Sequence, residues 1–101
     1  MTLRQRQSKF ARLVPLLILF ANESGYEVTL GDAYAHDGHK ENSYHYSRLA
    51  IDLNLFKDGR YLTSTKSHEP LGVYWESLDP DCTWGGRFSN KDGGYYSFGE
   101  K

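Results

Sequence analysis

The chain has a single cysteine, Cys82, so it can form neither an internal disulfide nor a multi-cysteine zinc site. It also has almost no net charge, formally −1 at pH 7, so no general affinity for polyanions is implied and no nucleic-acid partner is expected. Long hydrophobic runs are missing. The one apolar stretch, Leu13 to Ala21, is too short to cross a bilayer, so membrane insertion is not expected. The basic start ahead of it imitates a secretory signal. Cleavage is poorly supported, because Ala21 is followed by Asn22 and Glu23 rather than by a small-x-small site. Internal repeats, linkers and low-complexity segments are lacking too, so residues 1–101 read as one domain. That length suffices for one core without staples. What the chain does have is aromatic content, eight Tyr and two Trp, which fits an ordered globular protein, expected to be monomeric.

The apolar stretch fits a helix. Phe10, Val14, Leu17 and Ala21 recur at helical spacing, joined by Leu13, Leu16 and Phe20. Thr2 and Gln5 have capping-box spacing and Gly25 suits a C-terminal cap, while Pro15 is the objection. Arg4, Arg6, Lys9 and Arg12 come with no acid before Glu23; they read as a solvated helix face, with an anionic wall polymer or nucleic acid as the other reading. A strand follows over 26–30, then a polar loop over 35–43. A second strand ends at Lys57-Asp58-Gly59, a hairpin signal, and Arg60 to Thr63 returns antiparallel. Ser67 is expected to cap a short helix with Glu69 and Pro70 in its first turn and Leu71, Tyr74, Trp75 and Leu78 on its apolar face. Asp79-Pro80-Asp81 stops it. The tail from Trp84 reads as turns ending in a strand around 95–98. The expected fold is α+β, two helices packed on a small, largely antiparallel sheet.

The second strand carries most of the functional information. Leu49, Ile51, Leu53 and Leu55 alternate onto one face, leaving Ala50, Asp52 and Asn54 on the other. A carboxylate in mid-strand is disfavoured, and if buried it needs a partner. Two readings stand: Asp52 faces solvent on the wet side of a half-buried sheet, or it shares a metal ion with His45, seven residues earlier.

The ordered set Ser43-x-His45, Arg48-Leu49-Ala50-x-Asp52-Leu53-Asn54-Leu55-Phe56, Gly31-Asp32-Ala33-Tyr34, Leu71-Gly72-x-Tyr74-Trp75-Glu76-Ser77 and Trp84-Gly85-Gly86-Arg87-Phe88 resembles the zinc D-Ala-D-Ala carboxypeptidase and phage L-alanyl-D-glutamate endopeptidase family. The resemblance implies zinc held by His45 and Asp52, with Asp92 as general base. Position 95, where the family has its third ligand histidine, holds Tyr95, and the arginine usual after Gly-Asp-x-Tyr is Ala35. A phenol, with an ordinary pKa of about 10, ligates well only when deprotonated. His36, His39, His68, Glu100 or Tyr95 as phenolate are the groups that could complete the sphere, and His36, His39 or Lys40 could replace the arginine.

The expected function is therefore hydrolysis of an amide bond in the peptidoglycan stem peptide, in the manner of a phage endolysin made in the host cytoplasm and acting on the cell wall. The alternative is an inactive relative that only binds wall peptide. Trp84 beside Gly85 is read either as a wall of the peptide groove or as packing. Ser43 belongs to the same candidate substrate site, with a loop hydrogen bond as its simpler role. His36, His39 and His68 are otherwise expected to be exposed loop residues. Cys82 is a weak nucleophile candidate, because Asp79 and Asp81 oppose a thiolate.

Overall fold

A computed structural model describes residues 1–35, 37, 38 and 43–100. Helix α1 runs over Leu3–Glu23. At its start Gln5 N donates to Thr2 Oγ1 and Thr2 N donates to Gln5 Oε1, the reciprocal pair that satisfies two orphan donors. At its end Gly25 N donates to Asn22 O and Tyr26 N to Ala21 O, with Gly25 at φ +90°, which is a Schellman closure. Pro15 does not break the helix. The carbonyl it deprives of a partner belongs to Ala11, and both residues are exposed, so water can take the bond.

Strand β1 (Glu27–Leu30) pairs antiparallel with the long central strand β2 (Ala50–Lys57). The Asp58-Gly59 turn has both residues at positive φ, +52° and +78°, which suits a two-residue hairpin, and it returns β3 (Arg60–Leu62) along β2. Helix α2 covers Thr65–Leu78, and β4 (Cys82–Trp84) and β5 (Tyr95–Phe98) complete the sheet. The strand order is β1-β2-β5-β4, with β3 also paired to β2 and every pairing antiparallel. The α+β architecture is thus as the sequence implies.

Two local expectations fail. Helix α2 is capped by Ser64, whose Oγ accepts from Ser67 N, so the helix begins earlier than Ser67 and Pro70 lies inside it. The two hydroxyls, 2.6 Å apart, compete for the same role, and sequence spacing cannot rank them. The chain around Trp84 is a strand rather than a turn, because Cys82, Thr83 and Trp84 are all buried beside β5.

Period-two alternation sends the two sheet faces to different fates. Ile51, Tyr96 and Trp84 share one row, and with Leu53, Leu55 and Phe98 they pack against Phe10, Leu17 and Ala21 of α1 and Leu71 and Trp75 of α2. Trp75 fixes the layers: its ring meets Phe10 and Tyr96 edge-on and its Nε1 donates to Ser97 O. Asp52 and Tyr95, directly opposite one another in register, therefore belong to the face away from the helices.

Candidate active site

His45 is placed by a short 3₁₀ turn, Tyr44–Ser47. Ser43 caps it, its Oγ accepting from His45 N at 3.3 Å, and Arg48 ends it in the left-handed region at φ +57°. That hydrogen bond is the role Ser43 fills, and its burial leaves it at the cavity wall. His45 O accepts from both Arg48 N and Ala35 N, tying the turn to the segment that follows β1. The His45 side chain is 2 % exposed and its Nε2 lies 3.3 Å from Asp52 Oδ1. Asp52 is held from the other side by the extension of β1, with Asp52 N donating to Asp32 O and Gly31 N to Asp52 O. The mid-strand carboxylate thus has the compensating partner that its position demands.

These side chains open into a cavity of about 700 Å³, lined also by the 88–92 segment, Tyr95 and Glu100. Asp92 sits at its rim, exposed, on a turn clamped from several directions. Asp92 N donates to Gly85 O, Trp84 Nε1 to Gly93 O at 2.8 Å, and Leu53 N to Gly94 O. A Cβ on Gly85 would lie 2.3 Å from Asp92 O, so this approach of backbone to backbone requires glycine there.

Tyr95 turns its hydroxyl to Glu100, donating to Oε1 at 2.5 Å. Burial, this hydrogen bond and the Glu100 charge, with a further push from Asp52, raise the phenol far above its ordinary pKa. Its ring stands edge-on to His45 at 5.5 Å and tilted against Phe88 at 5.7 Å.

The residues singled out in the sequence divide accordingly. His45, Asp52, Asp92, Tyr95, Ser43 and Glu100 come together around one cavity. Trp84 and Gly85 do not line it. Trp84 is 2 % exposed and packed on α2, so it is a core residue and not a groove wall, and Gly85 acts beneath the surface as the seat of the Asp92 turn. His68 is not an exposed loop residue either: α2 starts early enough to carry it inside, where its Nδ1 lies 3.1 Å from Tyr96 Oη on the helix side of the sheet. That placement removes it from the His45–Asp52 group. Cys82 is buried in the core. His36, His39 and Lys40 lie outside the described residues. The lining residues Ser89, Asn90 and Lys91 went unremarked in the sequence, where a Ser-Asn-Lys run has the composition of any surface turn.

Does this donor set suit a metal ion? Zinc bonds of about 2.0–2.1 Å at the tetrahedral angle place neighbouring donors roughly 3.3–3.4 Å apart. The His45–Asp52 separation matches such an edge. Tyr95 does not suit the third corner as phenolate, since its proton is committed to Glu100. Among the described residues no three His, Cys, Asp or Glu side chains stand as a group that could hold an ion. The residues fit zinc at two corners, with a further carboxylate, Glu100, on the wall of the same cavity.

A family model described as D-alanyl-D-alanine carboxypeptidase matches residues 37–97, more than half of the chain and all of the His45-to-Tyr95 core of the site. Among solved structures, the crystal structure of the Serratia marcescens L-Ala D-Glu endopeptidase ChiX superposes with a TM-score of 0.72 at 13 % identity, covering 90 % of this chain and 78 % of that one. At that identity the likeness establishes the fold alone. No curated protein matches the chain.

Proposed function

The chain belongs to the D-alanyl-D-alanine carboxypeptidase family, and from that premise we propose that it is a zinc-dependent peptidase that hydrolyses an amide bond in the stem peptide of bacterial cell wall, as an L-alanyl-D-glutamate endopeptidase does. The observation that carries this reading is the His45–Asp52 pair, 3.3 Å apart, lining one cavity together with the exposed Asp92.

His45 and Asp52 would hold the ion. The chemistry zinc supplies when bound is Lewis acidity towards water and the scissile carbonyl. Asp92 is the base: its carboxylate takes a proton from the attacking water and returns it to the nitrogen of the departing amine. The clamped turn fixes the backbone from which that carboxylate projects. Phe88 to Lys91 line the cavity beside Asp92 and offer the wall against which the peptide would lie. The setting that suits this chemistry is phage-type lysis, with the enzyme acting on the wall after synthesis in the host cytoplasm.

A second reading, a non-catalytic relative that binds wall peptide, is favoured by one observation, the hydroxyl of Tyr95 engaged with Glu100 where the family places an imidazole. Release of amines from purified peptidoglycan separates the two. The peptidase releases them, and Asp92→Ala lowers the rate by about 10²–10⁴, the usual worth of a positioned general base. Binding to wall without release by the zinc-loaded protein would establish the second reading instead.

A further inference from the structure

A histidine and a phenol inside a core need a reason, because burying polar groups costs free energy unless they are bonded. His68 is buried and Tyr96 fully so, neither lines the cavity, and the chemistry proposed above uses neither. Resting on the assignment of Asp92 as general base, we infer that His68 and Tyr96 are positioning residues for that base. They support the Asp92–Gly94 turn from its inner side, and so set the rate of hydrolysis rather than the binding of metal or substrate.

The contacts run unbroken from the pair to the turn. Nδ1 of His68 lies 3.1 Å from Tyr96 Oη. The ring also bonds the Leu62 carbonyl, which can only accept. The one proton of the neutral imidazole therefore serves Leu62, and Nδ1 accepts from the Tyr96 hydroxyl. Two partners hold the ring in a single orientation. Tyr96 is itself fixed, with its ring edge-on to Trp75 at 6.3 Å and its backbone in register between Ile51 and Trp84. The Cε1 edge of the imidazole then meets the turn. A Cβ on Gly94 would lie 3.6 Å from His68 Cε1, and one on Gly93 would lie 2.6 Å from Thr65 Cα. The first turn of α2 is thus laid directly against the turn that carries Asp92.

Charge links the same groups. Burial is the larger influence on both members of the pair, lowering His68 and raising Tyr96, but the Asp92 charge acts on each as well. Such coupling is mutual, so the pair also acts on the carboxylate. The hydrogen bonds to Gly85, Trp84 and Leu53 hold the polar groups of the turn, and the imidazole fills the space behind Gly94. Loss of either partner frees the ring to turn and leaves a gap there.

Steady-state hydrolysis of a soluble L-alanyl-D-glutamyl stem peptide by the zinc-loaded chain, with kcat and KM measured separately, tests this. Tyr96→Phe removes one oxygen and keeps the ring, so the core stays filled. It should lower kcat by about 10-fold and leave KM and calorimetric Zn²⁺ affinity within about 2-fold of the parent, since a misplacement of about 1 Å costs about 100-fold. His68→Asn, whose amide can stand where Nδ1 stands, keeps a partner for Tyr96 but vacates the edge against Gly94, and should lower kcat likewise. Thermal melting shows that each variant is folded, and either alone suffices. In an Asp92→Ala background the effect of Tyr96→Phe should vanish, because residues that act through one group are not additive. A kcat equal to the parent's in either folded variant overturns the inference. So does a loss that persists without Asp92, or a parallel loss of Zn²⁺ affinity, which would place the effect at the metal. In those cases hydrolysis by the parent, lost in Asp92→Ala, leaves the peptidase reading standing. No hydrolysis by the zinc-loaded parent overturns that reading and the inference with it.

Discussion

At position 95 the side chain decides what the cavity can bind. A phenol buried against His45 and hydrogen-bonded to a carboxylate keeps its proton, whereas an imidazole there would offer a neutral nitrogen beside His45 and Asp52. Tyr95→His is expected to tighten zinc by at least about 10-fold, the lower end of what one well-placed group near a metal is worth, and to raise amine release. Calorimetry with Zn²⁺ checks it; a Tyr95→His variant that binds no better than the parent would mean that position 95 is not at the third corner. Asp52→Ala is expected to abolish metal binding, while a merely solvent-facing aspartate would tolerate the change. The Tyr95–Glu100 bond was not legible in the sequence. The two residues are five apart across a turn, and only the φ of Gly99 together with its two anchors brings Glu100 back to its own strand.

At the scale of elements, the packing of α2 on β4 transmits directly to the site. Gly72 faces Trp84 so closely that a Cβ would lie 2.1 Å from the indole. In an isolated helix Gly→Ala gains about 1 kcal/mol. Here overpacking costs about 1–3 kcal/mol or more, and the indole cannot move without breaking its bond to Gly93 O. Gly72→Ala is therefore expected to lower the thermal midpoint and, through Gly93, to displace Asp92 and slow hydrolysis; denaturant unfolding and amine release measure the two effects. Ser64→Ala should cost about 0.5–2 kcal/mol through loss of the cap, with Ser67→Ala costing less. What was readable from sequence at this scale is what has a period or a cap. The alternation of β2, the Asp58-Gly59 hairpin and the Thr2–Gln5 box each name their own geometry. Strand β4 has three residues, all buried, and no alternation to read. His68 departs from its sequence expectation for the same reason as the start of α2: the cap at Ser64 rather than Ser67 adds a turn and carries the imidazole into the core.

For the whole molecule, stability should depend on pH at both ends, through the buried His68 on the acid side and the buried phenols Tyr95 and Tyr96 on the alkaline side. Burial lowers His68 in the folded state, against the opposing pull of Leu62 and Asp92, so the unfolded chain takes up that proton more readily. Its contribution is complete above about pH 6.5, the unfolded value, and is lost progressively as pH falls below it. Burial, with the Asp92 charge, raises Tyr96, so its contribution is complete below about pH 10 and is lost as pH rises beyond that. Thermal midpoints measured against pH should show both declines, and Tyr96→Phe should lessen the alkaline one, leaving the share that Tyr95 contributes. The same architecture explains why the site could be anticipated in outline. Helices cover one sheet face, which leaves the Asp52–Tyr95 row of the other face open to the turn that carries His45.

The most direct measurement is amine release from purified peptidoglycan by the protein after chelator treatment, with and without one equivalent of Zn²⁺, alongside Asp52→Ala. Zinc should restore release to the parent chain and fail to restore it to Asp52→Ala. Release that is equal in the stripped and reloaded protein, or equal in the parent and Asp52→Ala, would contradict a zinc peptidase built on His45 and Asp52.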